Sequence, residues 1–408
     1  MRLTIDRLGH LGDGVAAGPD GPVFVQGVLP AELVEGTLKA DRLTDVKIVT
    51  PSTDRVKPPC RHARTCGGCQ LQHASDAFVA GWKQQVVETA LAGQGLIAPL
   101  RPIVTSPPNT RRRATLSARR TKGGALLGFH ARGSDTLIPI PDCQLLHPTL
   151  VAAFPGLEAL VTLGGSRSAE LSLQITTTRG GVDVVVTGGK PLDPALQLDL
   201  ARVIEAHAFS RLTWNGEAVA LRDRPAQGFG TATVVPPAGA FLQATPEGEA
   251  ALLTAVRAAL GQQRRIVDLF SGVGTFALPL ATESEVHAVE GDRAMIAALE
   301  LGARHAEGLR RLTAEARDLF RRPLEPDELR AFTGAVIDPP RAGAEAQVAC
   351  LARSTVPLIA AVSCNPVTFA RDAKVLVAAG YALDWVQVVD QFRWSTHVEL
   401  VARFSRTA

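Results

Sequence analysis

Arg265-Ile266-Val267-Asp268-Leu269-Phe270, running into Ser271-Gly272-Val273-Gly274-Thr275, decides the fold. The apolar residues around one acid read as a short buried strand, and the two glycines allow a tight turn straight after it. Upstream, Thr245 as N-cap and Pro246 at the first helical position open a helix with Leu252, Val256 and Leu260 on one face. Downstream, strands are expected near 285–289, 311–316, 334–338 and 357–363, then 383–389 and 397–404. Strand alternates with helix to about residue 380, the pattern of an α/β doubly wound domain. In such a sheet ligands bind just outside the carboxy ends of the strands.

Those ends carry chemistry. Gly334-Ala335-Val336-Ile337 ends in Asp338-Pro339-Pro340-Arg341, and Val356-Pro357-Leu358-Ile359-Ala360-Ala361-Val362 delivers Ser363-Cys364-Asn365-Pro366. A lone Gly272-x-Gly274 is shared by nicotinamide and flavin folds, but the third glycine of G-x-G-x-x-G is absent, with Ala277 in its place. Asp268 ends its strand, and Glu290 ends Val286-His287-Ala288-Val289, where it can take two ribose hydroxyls. With Asp318 near the adenine position, the ordered set describes an S-adenosylmethionine site in a class I methyltransferase. Singly, Glu290 also fits a surface acid, Asp318 a helix cap and Cys364 a core cysteine.

The 408 residues allow two to three domains, and 46% hydrophobic with 20% charged residues describe a globular protein. A net charge of +3 decides nothing, but Arg101 to Asp135 holds eight Lys/Arg and one acid. Arg111-Arg112-Arg113 and Arg119-Arg120-Thr121-Lys122 lie on consecutive strand-like stretches, so a shared basic face suits phosphate contacts as well as a solvated surface. The amino terminus lacks a signal-peptide h-region and no stretch is long enough to span a membrane, so a cytoplasmic protein is expected. Residues 1–52 read as a small β-barrel, an oligonucleotide binder or a structural appendage. Residues 53–235 read as a central α+β domain, and 236–408 as the methyltransferase domain. Ser75 caps a helix reaching Leu91.

Cys60, Cys66 and Cys69 are spaced C-x5-C-x2-C, and Cys143 is the natural fourth thiol. Four thiolates suit structural zinc or an iron–sulfur cluster, and a Cys3His zinc site using His62 or His73 is an alternative. Cys350 reads as a core residue.

On these motifs the chain resembles the class I RNA (uracil-5-)-methyltransferase family, in particular its iron–sulfur branch acting on 23S ribosomal RNA. The resemblance spans the chain, from a TRAM-like barrel onward. It implies S-adenosyl-L-methionine contacts at Gln243 of Phe-Leu-Gln, Phe270, Thr275, Glu290, Asp318 and Asp338. Where the family often has Asn, this chain has Thr275. It further implies Cys364 as nucleophile, Glu399 of His397-Val398-Glu399-Leu400 as base, and a [4Fe-4S] cluster on Cys60, Cys66, Cys69 and Cys143. An RNA-binding monomer follows as expectation. Alternatives are a transfer RNA T-loop uridine as substrate, an amino-methyltransferase using Asp338-Pro339-Pro340, or a non-catalytic metal-bearing RNA binder. Cys364 and Glu399 weigh against the last two.

Overall fold

The apolar runs between residues 265 and 405 pair into one sheet in the computed structural model, which describes residues 1–406. Its strands are β1 (Leu100–Thr105), β2 (Arg265–Leu269), β3 (Glu285–Glu290), β4 (Leu312–Ala316), β5 (Gly334–Ile337), β6 (Leu358–Ser363), β7 (Ala382–Asp390) and β8 (Leu400–Ser405). Their order across the sheet is β4-β3-β2-β5-β6-β8-β7-β1. The neighbours from β4 to β6 run parallel, and β8 inserts antiparallel between β6 and β7. Apolar side chains on both faces explain the continuous hydrophobic runs: every residue of β5 is buried. This is the doubly wound class I architecture expected from the strand–helix alternation.

Strand β1 was not anticipated. Arg101 and Pro102 interrupt its apolar pattern, yet at a sheet edge the missing proline N–H costs no ladder bond. Helix α1 (Asp76–Ala92), capped by the Ser75 hydroxyl accepting from Phe78 N–H, buries Val87 and Leu91 in the same core as β5 and β6. Residues 76–105, expected in the central domain, therefore pack on the methyltransferase sheet.

The amino-terminal strands curl into a six-stranded barrel-like sheet around Ile5, Val25, Val28 and Val34. Glu32 ties it to the following linker: Arg55 donates to both its carboxylate oxygens, and Leu29 and Ser52 donate backbone N–H groups. Burial pushes this carboxyl up, but those donors win and hold it below its usual range. The central domain is a seven-stranded sheet with helices Phe154–Gly164 and Pro194–Ala206 packed over Leu116, Leu173 and Trp214. Among the described residues no helix is long and apolar enough to cross a membrane.

Lys83 of α1 is fully buried and donates to Asp390 Oδ1 at 2.5 Å and to the Phe392 carbonyl at 3.1 Å. Desolvation lowers the pKa of this ammonium, and Asp390 opposes the shift. Lys83→Met strands the Asp390 carboxylate in the core. The expected loss is about 3–5 kcal/mol in denaturant unfolding; a change under 1 kcal/mol contradicts a structural ion pair.

Candidate active site

The sheet's carboxy edge brings the expected residues together. Gln243, Phe270, Thr275, Glu290, Asp318, Asp338, Cys364 and Glu399 all line one cavity of about 610 Å³. Local structure explains how each arrives. After β2, Gly274 adopts φ +94°, and a Cβ there would approach Leu278 to 2.8 Å, so the turn requires glycine. Phe270 has φ +64°, a left-handed conformation costing about 1–3 kcal/mol that the surrounding packing imposes. Its ring meets that of Phe320 at 5.4 Å, giving an aromatic wall. The Glu290 carboxylate accepts Gly272 N–H at 3.0 Å and Asp292 N–H at 3.1 Å, which fixes the glycine loop and still leaves lone pairs for a hydroxyl. Asp318 accepts Phe320 N–H at 3.0 Å.

Register sets where Cys364 and Glu399 lie. Strands β6 and β8 are antiparallel with Ser363 opposite Leu400, so Cys364 and Glu399 emerge side by side although 35 positions separate them in the chain. Asn365 accepts Val367 N–H and Pro366 starts helix α2 (Pro366–Ala378), which turns the chain away immediately after the thiol.

Three carboxyls and the thiol are shifted toward their neutral forms. Burial drives Glu399 up to about 7 against the opposing effects of Gln391 and Arg113. Burial, then Glu399 and Asp268, raise Asp338 well above the usual carboxylate range. Burial also takes Asp268 to about 8. Cys364 is pushed to about 11 by burial and by Glu399 and Asp338, with Arg341 opposing. With four carboxyls in its lining against the guanidiniums of Arg113 and Arg341, the cavity suits a cationic ligand, since each carboxyl it meets gains a partner on ionising.

Several residues in the cavity were not singled out from sequence. Arg341, immediately after Asp338-Pro339-Pro340, donates to the His397 ring, and burial and Arg341 hold that imidazole down at about 4. Phe320 and Arg113 complete the lining. Strand-end position would have signalled Arg341 and His397; no sequence signal marks Phe320. A second cavity of about 710 Å³ shares Arg341, Cys364 and His397 with the first. Leu8 and Leu11 of the barrel and Trp82 of α1 form its outer walls.

The arginine run does not form one basic face. Arg112 is buried, paired with Glu249 and donating to the Gln243 carbonyl at 2.9 Å. Arg113 lies 4.3 Å over the Phe241 ring, while Arg111 is half-buried near Cys69 and Cys143. Arg119 is exposed but faces Glu170. Acidic partners take up the charge of Arg112 and Arg119.

The four cysteines converge where the Cys60–Cys69 loop bridges to Ala131. Burial raises Cys69 to about 12, and Cys143, Cys66 and Cys60 add to the rise despite Gln72. Backbone N–H groups of His62 and Gly68 point at Cys60 and Cys66 Sγ, each at 3.4 Å. Among the described residues, however, no group of three or more His, Cys, Asp or Glu side chains stands in metal-ligating geometry. His62 is bonded to Asp142 at 2.9 Å, and His73 is half-buried beside Arg55; neither side chain is drawn to the thiols.

Residues 237–406 match the family model described as tRNA (Uracil-5-)-methyltransferase. A 23S rRNA (uracil(1939)-C(5))-methyltransferase of Halomonas elongata is 34% identical, over 97% of this chain and 88% of its own length. The chain belongs to the RNA (uracil-5-)-methyltransferase family. An RNA methyltransferase of Brucella suis biovar 1 is 43% identical over 98% of this chain and 97% of its own. The fold of the Pyrococcus abyssi tRNA (uracil-54, C5)-methyltransferase, solved with S-adenosyl-L-homocysteine, overlays with a TM-score of 0.76. It covers 99% of this chain and all of that one at 23% identity. The chain is thus an RNA methyltransferase.

With its thiol at about 11, Cys364 of this methyltransferase should react slowly with iodoacetamide at neutral pH in the absence of RNA. Its alkylation, followed by peptide mass spectrometry, is expected to climb about tenfold per pH unit from 8 to 10, since the thiolate fraction grows so below the pKa. A plateau by pH 9 contradicts this.

Proposed function

We propose that this enzyme methylates C5 of a uridine in 23S ribosomal RNA through a covalent bond between Cys364 and C6. The observation that carries the reading is the side-by-side emergence of a thiol and a buried carboxyl from adjacent strands into one cavity. Uracil C5 is a weak nucleophile. Addition of the Cys364 thiolate to C6 converts the ring to an enolate whose C5 can accept a methyl group. S-adenosyl-L-methionine supplies that methyl as a sulfonium when bound. Glu399 then removes the C5 proton, the C5–C6 double bond re-forms and the thiolate leaves. A base that ionises near 7 is half deprotonated at neutral pH, matched to that task.

Gln243, Phe270, Thr275, Glu290, Asp318 and Asp338 are read as the cofactor contacts, with Glu290 on the ribose and the Phe270–Phe320 wall against the adenine. The target base must leave its stack to enter so enclosed a site. The second cavity, reached past the barrel, offers the RNA its approach. The 23S assignment follows the Halomonas relative, and transfer RNA is the runner-up.

Cys60, Cys66, Cys69 and Cys143 are read as ligands of a [4Fe-4S] cluster, with zinc the lesser alternative. The donor set fits: four thiols, two N–H groups aimed at sulfur, and the Arg111 and Arg132 guanidiniums nearby to offset thiolate charge. A cluster there would cross-link residues 60–69 to the central domain. Cys69→Ser is expected to lose most bound iron by metal analysis of anaerobically purified protein; full iron content removes Cys69 as ligand, and zinc in the wild type would replace the cluster.

RNA carrying 5-fluorouracil at its uridines, incubated with enzyme and S-adenosyl-L-methionine, is expected to yield an adduct stable on a denaturing gel. Fluorine at C5 cannot leave as a proton does. Cys364→Ala should abolish the band while cofactor binding persists, and 23S fragments should trap more enzyme than transfer RNA. A band that survives in Cys364→Ala contradicts the nucleophile, and preferential trapping by transfer RNA contradicts the substrate.

A further inference from the structure

An amide with no part in the reaction just described lies between the two carboxyls of the site. Gln391 is 1% exposed, directly after the last residue of β7. The Ala244 backbone N–H can only donate, and Gln391 Oε1 accepts it at 2.6 Å. That contact assigns the amide, because Oε1 is committed and Nε2 must face the other way. There Nε2 donates to Gln243 Oε1 at 2.6 Å and to Glu399 Oε2. Gln243, its oxygen now spent, turns its own Nε2 toward Asp338 Oδ2 at 3.5 Å. Arg112 holds the start of the series, donating Nε to the Gln243 carbonyl and its backbone N–H to the Ala244 carbonyl, each at 2.9 Å. One backbone N–H thus orders four side chains, from Glu399 through Gln391 and Gln243 to Asp338.

We propose that Gln391 is a positioning residue, which pins one oxygen of Glu399 so that the other faces the C5 proton and fixes the Gln243 amide with its donor toward Asp338. The proposal rests on the reading of Glu399 as the base. Gln391 makes the only side-chain hydrogen bond to the Glu399 carboxyl among the described residues. The other charged or titratable groups facing it are Arg113 from the central sheet, Asp338 after β5, Cys364 after β6 and His397 on its own loop. Without the amide, a buried carboxylate loses its donor and is free to rotate and take up a proton.

The test follows tritium release from [5-³H]uridine RNA in single turnovers of the full enzyme with S-adenosyl-L-methionine, from pH 5.5 to 9. Gln391→Met keeps the volume and removes the donor. Its acid limb should move up by about one pH unit, so that release at pH 7 falls about fivefold while covalent protein–RNA adduct accumulates. A purely structural residue would lower release at all pH values alike, and that result, or an unmoved limb, overturns the proposal. If circular dichroism shows Gln391→Met unfolded, Gln391→Glu carries the test, with the limb again expected to rise. Glu399→Gln separates the two readings. Wild-type release in that variant refutes the base itself, whereas a dead Glu399→Gln beside an unshifted Gln391→Met refutes the positioning role alone.

Discussion

An ammonium group with no access to water fixes where the active-site loop begins. Lys83 reaches from α1 to Asp390 at the end of β7 and to the carbonyl of Phe392, so the residues that follow leave the sheet from a defined point. Two further anchors hold the same loop. The Trp394 carbonyl accepts the backbone N–H groups of Gln70 and Leu71 at 2.8 and 2.9 Å, just beyond Cys69, and Arg393 pairs with Asp76. Trp394 itself sits at φ +60°, a strain these bonds sustain. Glu399 therefore returns to β8 along a path fixed at both ends and in the middle.

Rigidity of that path explains the electrostatics of the cavity. Flexible surroundings would admit water and let Glu399, Asp338 and Cys364 relax toward ordinary values. Here they cannot, so burial holds Asp338 and Cys364 toward their neutral forms and leaves Glu399, near 7, between its two states. The cysteine loop enters this picture through Gln70 and Leu71: whatever orders residues 60–69 also orders the loop that carries Glu399.

Much of the site was legible because its residues sit at the ends of apolar runs. Asp338 and Cys364 each follow four or more buried residues, and Glu290 follows a run broken only by half-buried His287; such runs can be read without knowing their partners. The doubly wound α/β class likewise followed from alternation with helices. What stayed hidden depended on contacts between distant parts of the chain. Strand β1 carries an arginine and a proline and becomes a strand only because β7 lies beside it. Gln391 acquires meaning only from Ala244, Gln243 and Glu399, and Arg112 turns from a basic residue into a core one when Glu249 meets it. The cysteine spacing marked a convergence that the structure contains without defining its ligand geometry.

The β1–β7 pairing also constrains how the protein is made. Lys83 and Asp390 lie 307 residues apart, and β1 finds its neighbour only in the last strands to be synthesised. On the ribosome, the barrel and central sheet can assemble from local pairings, while α1 and β1 must wait with an apolar face and an open edge exposed. Such long-range closure predicts slow final folding. It also means that residues 236–408 alone are not an autonomous folding unit: severed from α1 and β1, they would carry an unpaired strand edge and a buried carboxylate without its cation.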